Sequence, residues 1–334
     1  MRVYIHSSTF YDSEPVPFTE FERDWNAPFH RGERFISYKW HELGINLNNW
    51  GFGIVYRNNV YLKFNSETAL AVHTLVNKQP IQEDSYTVDV SGTVFNATGF
   101  RVFHKLINKS HFSWQMGLTS LYGSKIIDGT LKGKLNKISE SDYEYDNITL
   151  NYYYTKDELF DHQVGEPKGY GFALDTDIYW QPSSKLELWF TMRDILGRIY
   201  WQGTPITMAE VESDNKTYDD NYVKVDPLLR GNQSTKKFTQ TLPLYLAFKS
   251  KMRLNNHTFL LAELEHLHIK TYARFGFGLN FPKNVQGEVI VDAANTAVGL
   301  RASHHIFNLT LMSDQINPQK AHFLAILFNL KYEF

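Results

Sequence analysis

Between Leu324 and Phe334 every second residue is apolar or aromatic: Leu324, Ile326, Phe328, Leu330, Tyr332 and Phe334, with Asn329, Lys331 and Glu333 among those between. A period of two sends alternate side chains to opposite faces of a strand. A run of about ten residues with one apolar and one polar face suits a strand with hydrocarbon on one side and water on the other. The pattern recurs along the chain. Phe112, Trp114, Met116 and Leu118 alternate with Ser113, Gln115, Gly117 and Thr119, and Phe172, Leu174, Ile178 and Trp180 alternate with Ala173, Asp175, Asp177 and Tyr179. Gln181-Pro182-Ser183-Ser184 supplies a turn, after which Leu186, Leu188, Phe190 and Met192 alternate with Glu187, Trp189, Thr191 and Arg193.

Further hairpins follow the same rule. Phe35 to Leu47 and Trp50 to Arg57 flank an Asn48-Asn49 turn. Leu244, Leu246 and Phe248 alternate with Tyr245, Ala247 and Lys249; after Asn255-Asn256, Leu260, Ala262 and Leu264 alternate with Leu261, Glu263 and Glu265. A register set by that turn places Lys249 opposite Glu263 on the inner face. Tyr272 to Phe281, Thr296 to Ala302 and Ile306 to Met312 read as strands as well. The repetition predicts an all-β fold: one closed antiparallel transmembrane barrel of roughly 14 strands, within about 12 to 16, spanning the whole chain as a single domain.

Three stretches break the alternation. Tyr11 to Arg34 is expected to be a loop or a segment folded into the lumen. Ser66 to Lys78 predicts a short helix, with Asn65 or Ser66 as N-cap, Glu67 in the first turn and an apolar stripe of Ala69, Leu70, Val72 and Val76. In a barrel, such a helix is expected to plug the lumen or to lie at the periplasmic rim. Gly203 to Lys237, with Glu210, Glu212, Asp214, Asp219 and Asp220, reads as a long extracellular loop.

Composition agrees with the pattern. Hydrophobic residues make up 43% of the 334 and aromatic residues 15%, the balance of a protein whose strands are half polar and whose interfacial girdles are aromatic. No apolar run approaches the length of a membrane helix. A formal charge of −2 leaves no basic footprint for nucleic acid. Cysteine is absent, as suits transit through an oxidising compartment. No basic and apolar leader follows Met1, so the chain is expected to be a mature form from which a leader has been removed. Seven Asn-X-Ser/Thr triplets occur; Asn308 lies in a predicted strand, and chance accounts for the set.

The final strand, ending on an aromatic residue, resembles the C-terminal strand of Gram-negative outer-membrane barrels. That resemblance implies that Phe328, Leu330, Tyr332 and Phe334 form an assembly signal for the barrel-assembly machinery. Outer-membrane lipid and lipopolysaccharide are then expected partners, with a periplasmic or surface protein as a further one. The segment Arg193-Asp194-Ile195-Leu196-Gly197-Arg198-Ile199-Tyr200-Trp201, with the later Leu242-Pro243-Leu244, is similar to a short motif of the FadL and TraF-like barrel superfamily. That similarity implies carriage of hydrophobic compounds, although the family's N-terminal plug pattern is not recognisable here.

Candidate chemistry lies on the predicted inner faces. Asp175, Asp177, Glu187, Arg193, Lys249, Glu263 and Glu265 are the lumen-facing candidates, and an acidic patch of Asp175, Asp177 and Glu187 would bias a pore toward cations. No catalytic residue, metal or cofactor is assigned. His6 and Ser8 superficially resemble a pair found in lipid A deacylase barrels but read better as polar lumen or rim residues. Glu263, Glu265, His266 and His268 fail as a metal set because strand alternation splits carboxylates from imidazoles. The expected function is an outer-membrane channel or transporter for a small solute, hydrophobic solutes included. The rival is a non-conducting barrel that anchors or assembles a surface or secretion apparatus.

Overall fold

The computed structural model describes residues 1–140, 142–157, 164–219 and 222–334. In chain order the elements are β1 (Arg2–Ser13), β2 (Arg34–Leu47), β3 (Trp50–Phe64), α1 (Ser66–Val76), β4 (Ser85–Lys109), β5 (Phe112–Lys137), β6 (Tyr143–Tyr154), β7 (Gly169–Ser183) and β8 (Leu186–Asp219). Then follow β9 (Tyr222–Thr241), β10 (Tyr245–Arg253), β11 (Thr258–Leu267), β12 (Lys270–Phe281), β13 (Val285–Asp292), β14 (Ala297–Ser303), β15 (Phe307–Ser313) and β16 (Phe323–Glu333). Fourteen of the sixteen strands form one closed antiparallel ring, the fold that the alternation predicts. The ring closes where β16 meets β1, with Arg2 opposite Glu333, and where β8 bypasses β9 to pair with β10, with Arg193 opposite Tyr245. β6 and β9 stand outside the ring, attached to the far ends of β5 and β8.

The two ends differ in their connections. One carries the turns at 48–49, 110–111, 184–185 and 304–306 together with both termini; the other carries 14–33, 65–84 and 314–322. Short turns mark the periplasmic end of such barrels and long connections the extracellular end. The wall is uneven. β10 to β15 are 7 to 12 residues long, whereas β4, β5 and β8 reach 25, 26 and 34 and rise past the ring on the extracellular side. Much of the segment expected as a loop at 203–237 is this rise: β8 and β9 pair from Thr204 opposite Lys236 to Asp219 opposite Tyr222. A hairpin in water needs only its backbone ladder, so apolar alternation does not mark it. Asp220 lies outside the described residues.

The ring's outer surface is the apolar one. Leu324, Ile326, Phe328, Leu330 and Tyr332 alternate with Ala325, Leu327 and Asn329, which line the interior. Tyr56, Thr98, Tyr122, Tyr170 and Tyr200 follow one another along a single hydrogen-bonded rung, an outward tyrosine row near the level at which the short strands end. Such a row is the girdle expected at a membrane interface.

The helix neither plugs the lumen nor sits at the periplasmic rim. Alternation on β2 and β3 separates two apolar clusters: Ile36, Tyr38 and Tyr61 pack inside the barrel, whereas Phe35, Phe64, Val60 and Leu62 pack with Ala69 and Val72 of α1. α1 therefore lies on the outer face of the tall wall, with Val16, Trp25 and Phe29 of the segment after β1, forming a collar. The reason is physical. Above the membrane, outward apolar residues lose their lipid contact and must be covered by protein. Asn65 caps the helix, its side-chain oxygen accepting from the Thr68 N–H at 2.8 Å, and Glu67 accepts from the Thr87 N–H at 2.6 Å, which holds its carboxyl below the usual range.

Candidate functional site

The interior is built in two storeys. On the extracellular side, aromatic and aliphatic side chains fill the ring. Tyr38 of β2 and Tyr245 of β10 stack across it with ring centroids 5.8 Å apart. Phe10, Tyr272 and Phe323 pack edge to face beyond them, and the Tyr272 hydroxyl donates to Asp12 at 2.7 Å. The seal centres on Arg57 of β3, 1% exposed, whose two terminal nitrogens donate to Asp194 of β8 at 2.6 and 2.7 Å. The guanidinium lies 4.8 Å from the Trp40 ring and 5.0 Å from that of Phe95. These side chains are buried together and occupy the middle of the ring.

Asp194 reaches that position because β8 breaks its own alternation. Asp194 and Leu196 have φ of 63° and 54°, and the β7–β8 register slips on either side of Leu174. A bulge of this kind re-aims a side chain. Arg193 and Asp194, consecutive residues that a regular strand would send to opposite faces, both point inward. Arg193 contacts Asp177 at 3.0 Å and Asp175 at 3.3 Å. Arg101 of β4 donates through Nε to Asp175 at 2.9 Å and lies 3.2 Å from Glu42.

Toward the periplasm the interior opens into a cavity of about 600 Å³. It runs from Tyr38, Trp40 and Tyr245 to Arg253, Ser303 and Asn308 beside the short turns. All its charges but that of Lys251 are paired. Lys249 lies 3.2 Å from Glu263, which Arg301 also holds at 2.6 Å; Arg301 reaches Glu288 at 2.8 Å. Arg274 bridges Glu265 at 2.5 Å and Asp292 at 3.1 Å, and Arg253 contacts Glu187. Lys251 donates to the amide oxygen of Gln286 at 2.8 Å, its ammonium 3.9 Å from the centre of the Phe259 ring. Beyond Arg301 of β14, the cavity wall formed by β15, β16 and β1 carries no ion pair among the described residues: Ser8, Asn308, Thr310 and Asn329 supply neutral polar groups there, with Ser303 at the end of β14, beside Met312, Ala325 and Leu327.

All seven candidate residues thus lie in the interior. Lys249 and Glu263 are direct cross-strand partners. Asp175, Asp177 and Arg193 come together, but Glu187 does not join them; it pairs with Arg253 near the periplasmic end, so the three acids form no single patch. Arg57, Arg101, Glu42, Arg274 and Arg301 are additional members. Their strand parity was the available signal for Arg57, whereas Asp194 has the wrong parity and is brought in only by the bulge. His6 bonds Asn329 at 2.5 Å and Ser8 faces the cavity. His266 contacts Thr271 and His268 packs against Tyr61, away from Glu263 and Glu265. Among the described residues no group of three or more His, Cys, Asp or Glu is placed to hold a metal.

A closed antiparallel barrel with an apolar outer band, an aromatic girdle, short turns at one end and a polar lumen is a transmembrane protein of the bacterial outer membrane. No family model matches this chain, and no curated protein does. Solved structures do match over nearly its whole length. The Pseudomonas putida toluene transporter TodX is 9% identical, with 99% of this chain and 87% of that one covered and a TM-score of 0.42. A Pseudomonas aeruginosa FadL homologue is 7% identical, covered 99% and 87%, at 0.34. The outer membrane protease OmpT from Escherichia coli is 8% identical, covered 100% and 96%, at 0.29.

Proposed function

We propose that this barrel is an outer-membrane transporter for small solutes, seen here with its path shut. The observation that carries the reading is the lumen itself: a cavity of about 600 Å³, lined by charged and polar as well as aromatic side chains, reaches the periplasmic end and stops at one compact layer around Arg57, Asp194, Tyr38 and Tyr245. A barrel serving only as an anchor has no use for a chamber lined by charged groups, since buried ionic groups stabilise a fold weakly at best. The packed layer is then a gate. Its aromatic and ion-paired contacts bridge β2 to β10 and β3 to β8, so small shifts of the wall open or close it.

Conductance of the detergent-folded protein in a planar bilayer tests this. The wild type is expected to pass little current, and the double variant Tyr38→Ala/Tyr245→Ala to pass steady current. Replacing α1 with a short loop is expected to leave the current unchanged, because the helix lies outside the lumen. Silence of a correctly folded double variant would favour the rival reading, a sealed barrel that anchors or assembles a surface or secretion apparatus.

A further inference from the structure

Resting on the transport reading, we propose that the periplasmic-side cavity is a binding subsite for a small uncharged polyhydroxylated solute, a mono- or disaccharide. The argument starts from charge. Among the described residues of the cavity and the ionic layer above it, nine carboxylates, each in an ion pair, stand with eight cations, Lys251 being the one cation without a carboxylate partner, for a formal sum of −1. Four arginines hold two carboxylates each, so the charges nearly cancel. An anion or cation entering gains no net field of the kind that charged rings in ion-selective pores supply. It must also displace an existing partner, leaving a charge unpaired in a confined space.

A hydrophobic solute fares no better, because it would strip water from these groups and return no hydrogen bond. What the cavity offers is hydrogen bonding from groups whose charges are largely paired already. A carboxylate in one ion pair keeps further acceptor sites, and a guanidinium has five N–H groups, so paired side chains still receive and donate to hydroxyls. Lys251 is the exception to the pairing: 6% exposed and facing the cavity, its ammonium is met by an amide oxygen and a ring rather than by a carboxylate, and its remaining N–H groups are available to a hydroxyl.

The walls complete the match. Asn308, Thr310 and Asn329 present neutral donors and acceptors opposite the ionic wall, while Trp189 and Tyr245, both partly exposed, border the same space. An aromatic face against hydroxyl-binding groups suits the C–H face and the O–H edge of a pyranose, since Trp and Tyr combine an apolar body with a polar handle. A cavity of about 600 Å³ falls within the ~300–1,000 Å³ typical of small-molecule sites.

The test separates binding from passage. Titrating the detergent-folded protein with glucose, maltose and sucrose, and in parallel with succinate, spermidine and toluene, by calorimetry is expected to give saturable binding for at least one sugar and none for the charged or apolar probes. Trp189→Ala is expected to weaken sugar binding about ten-fold, the size of one aromatic stacking contact. Asn308→Ala, a smaller change on the neutral wall, is expected to weaken it as well. Tighter binding of succinate, spermidine or toluene than of any sugar, or no saturation by any of the three sugars, would overturn the subsite. Swelling of liposomes that contain the Tyr38→Ala/Tyr245→Ala variant reads passage separately. Sugar binding without swelling would uphold the subsite and count against transport, whereas swelling in every solute without sugar binding would do the reverse.

Discussion

Arg57 and Asp194 are 137 residues apart in sequence and meet across the barrel through two parallel N–H···O bonds of 2.6 and 2.7 Å. A bidentate guanidinium–carboxylate pair is the strongest form of this contact, and here both partners are almost wholly enclosed. Removing one side leaves the other as an uncompensated buried charge, at a cost of about 3–5 kcal/mol. Arg57→Met and Asp194→Leu are each expected to lower resistance to urea unfolding in detergent by that order. The combined variant is expected to recover most of the loss, because two apolar groups can fill the space that the pair occupies. A double variant no more stable than either single one would show that the pair is not the term being measured.

The two faces of β16 separate lipid contact from lumen contact within one strand. Phe328 points outward and Leu327 lines the cavity. Phe328→Arg is expected to cost about 2–4 kcal/mol, as charges on the lipid face do near mid-membrane, and to reduce outer-membrane recovery in cell fractionation. Leu327→Arg is expected to be milder. Removal of Phe334, whose backbone N–H donates to the Met1 carbonyl at 3.0 Å and whose ring packs on Tyr332, is expected to slow assembly as well. Equal recovery of all three variants with the wild type would contradict an assembly role for this end of the chain.

How much of this was legible in the sequence follows from what alternation can encode. The rows at Phe112 to Thr119, Leu186 to Arg193 and Leu324 to Phe334 are legible because lipid enforces a strict apolar face. The helix at Ser66 was legible from its cap. Its position was not, since the residues it covers, Leu62 and Phe64, look the same whether lipid or protein meets them. The rise of β8 and β9 was lost because both of its faces lie outside the membrane, and β13 because its eight residues include Gly287. In the lumen, Lys249 and Glu263 could be paired from the turn between them. Arg57 and Asp194 could not, because their contact depends on a bulge and on barrel closure, neither of which has a local signature.

The collar carries a pH signal. His73 of α1 stacks on Phe29 with ring centroids 4.3 Å apart, and burial lowers its affinity for a proton below that of a free imidazole. A depressed folded-state value means that this contact is fully in place above the ordinary histidine value of 6.5 and is lost as the pH falls through the lower folded value. The protection of amides in residues 66–78 and 25–33 against hydrogen exchange, taken relative to the intrinsic rate at each pH, is therefore expected to fall on acidification from pH 7.5 to 5.5. His73→Phe is expected to remove the pH dependence of that protection while keeping the stack. Persistence of the full acid response in that variant would place its origin elsewhere in the collar.

Gly117 faces the lumen beside the Arg101–Asp175 contact, and a Cβ added there would come within 2.4 Å of the Asp175 carboxylate oxygen. The missing side chain lets Asp175 lie flat against β5 while accepting from the Arg101 Nε at 2.9 Å. Gly117→Val must push Asp175 toward the axis, breaking its two-nitrogen contact with Arg101 and disturbing Arg193, which touches the same carboxylate at 3.3 Å. Overpacking of this sort costs about 1–3 kcal/mol, and the loosened guanidinium adds to that. Gly117→Ala is expected to show a smaller form of the same loss. Pairing Gly117→Val with Asp175→Asn separates the two causes. If steric displacement of the carboxylate is what destabilises the barrel, the double variant will lose much less than the sum of the single changes, since the displaced group no longer carries the charge that Arg101 and Arg193 require. Strict additivity in urea unfolding would mean that Gly117 is needed for strand packing alone, independent of the ionic layer next to it.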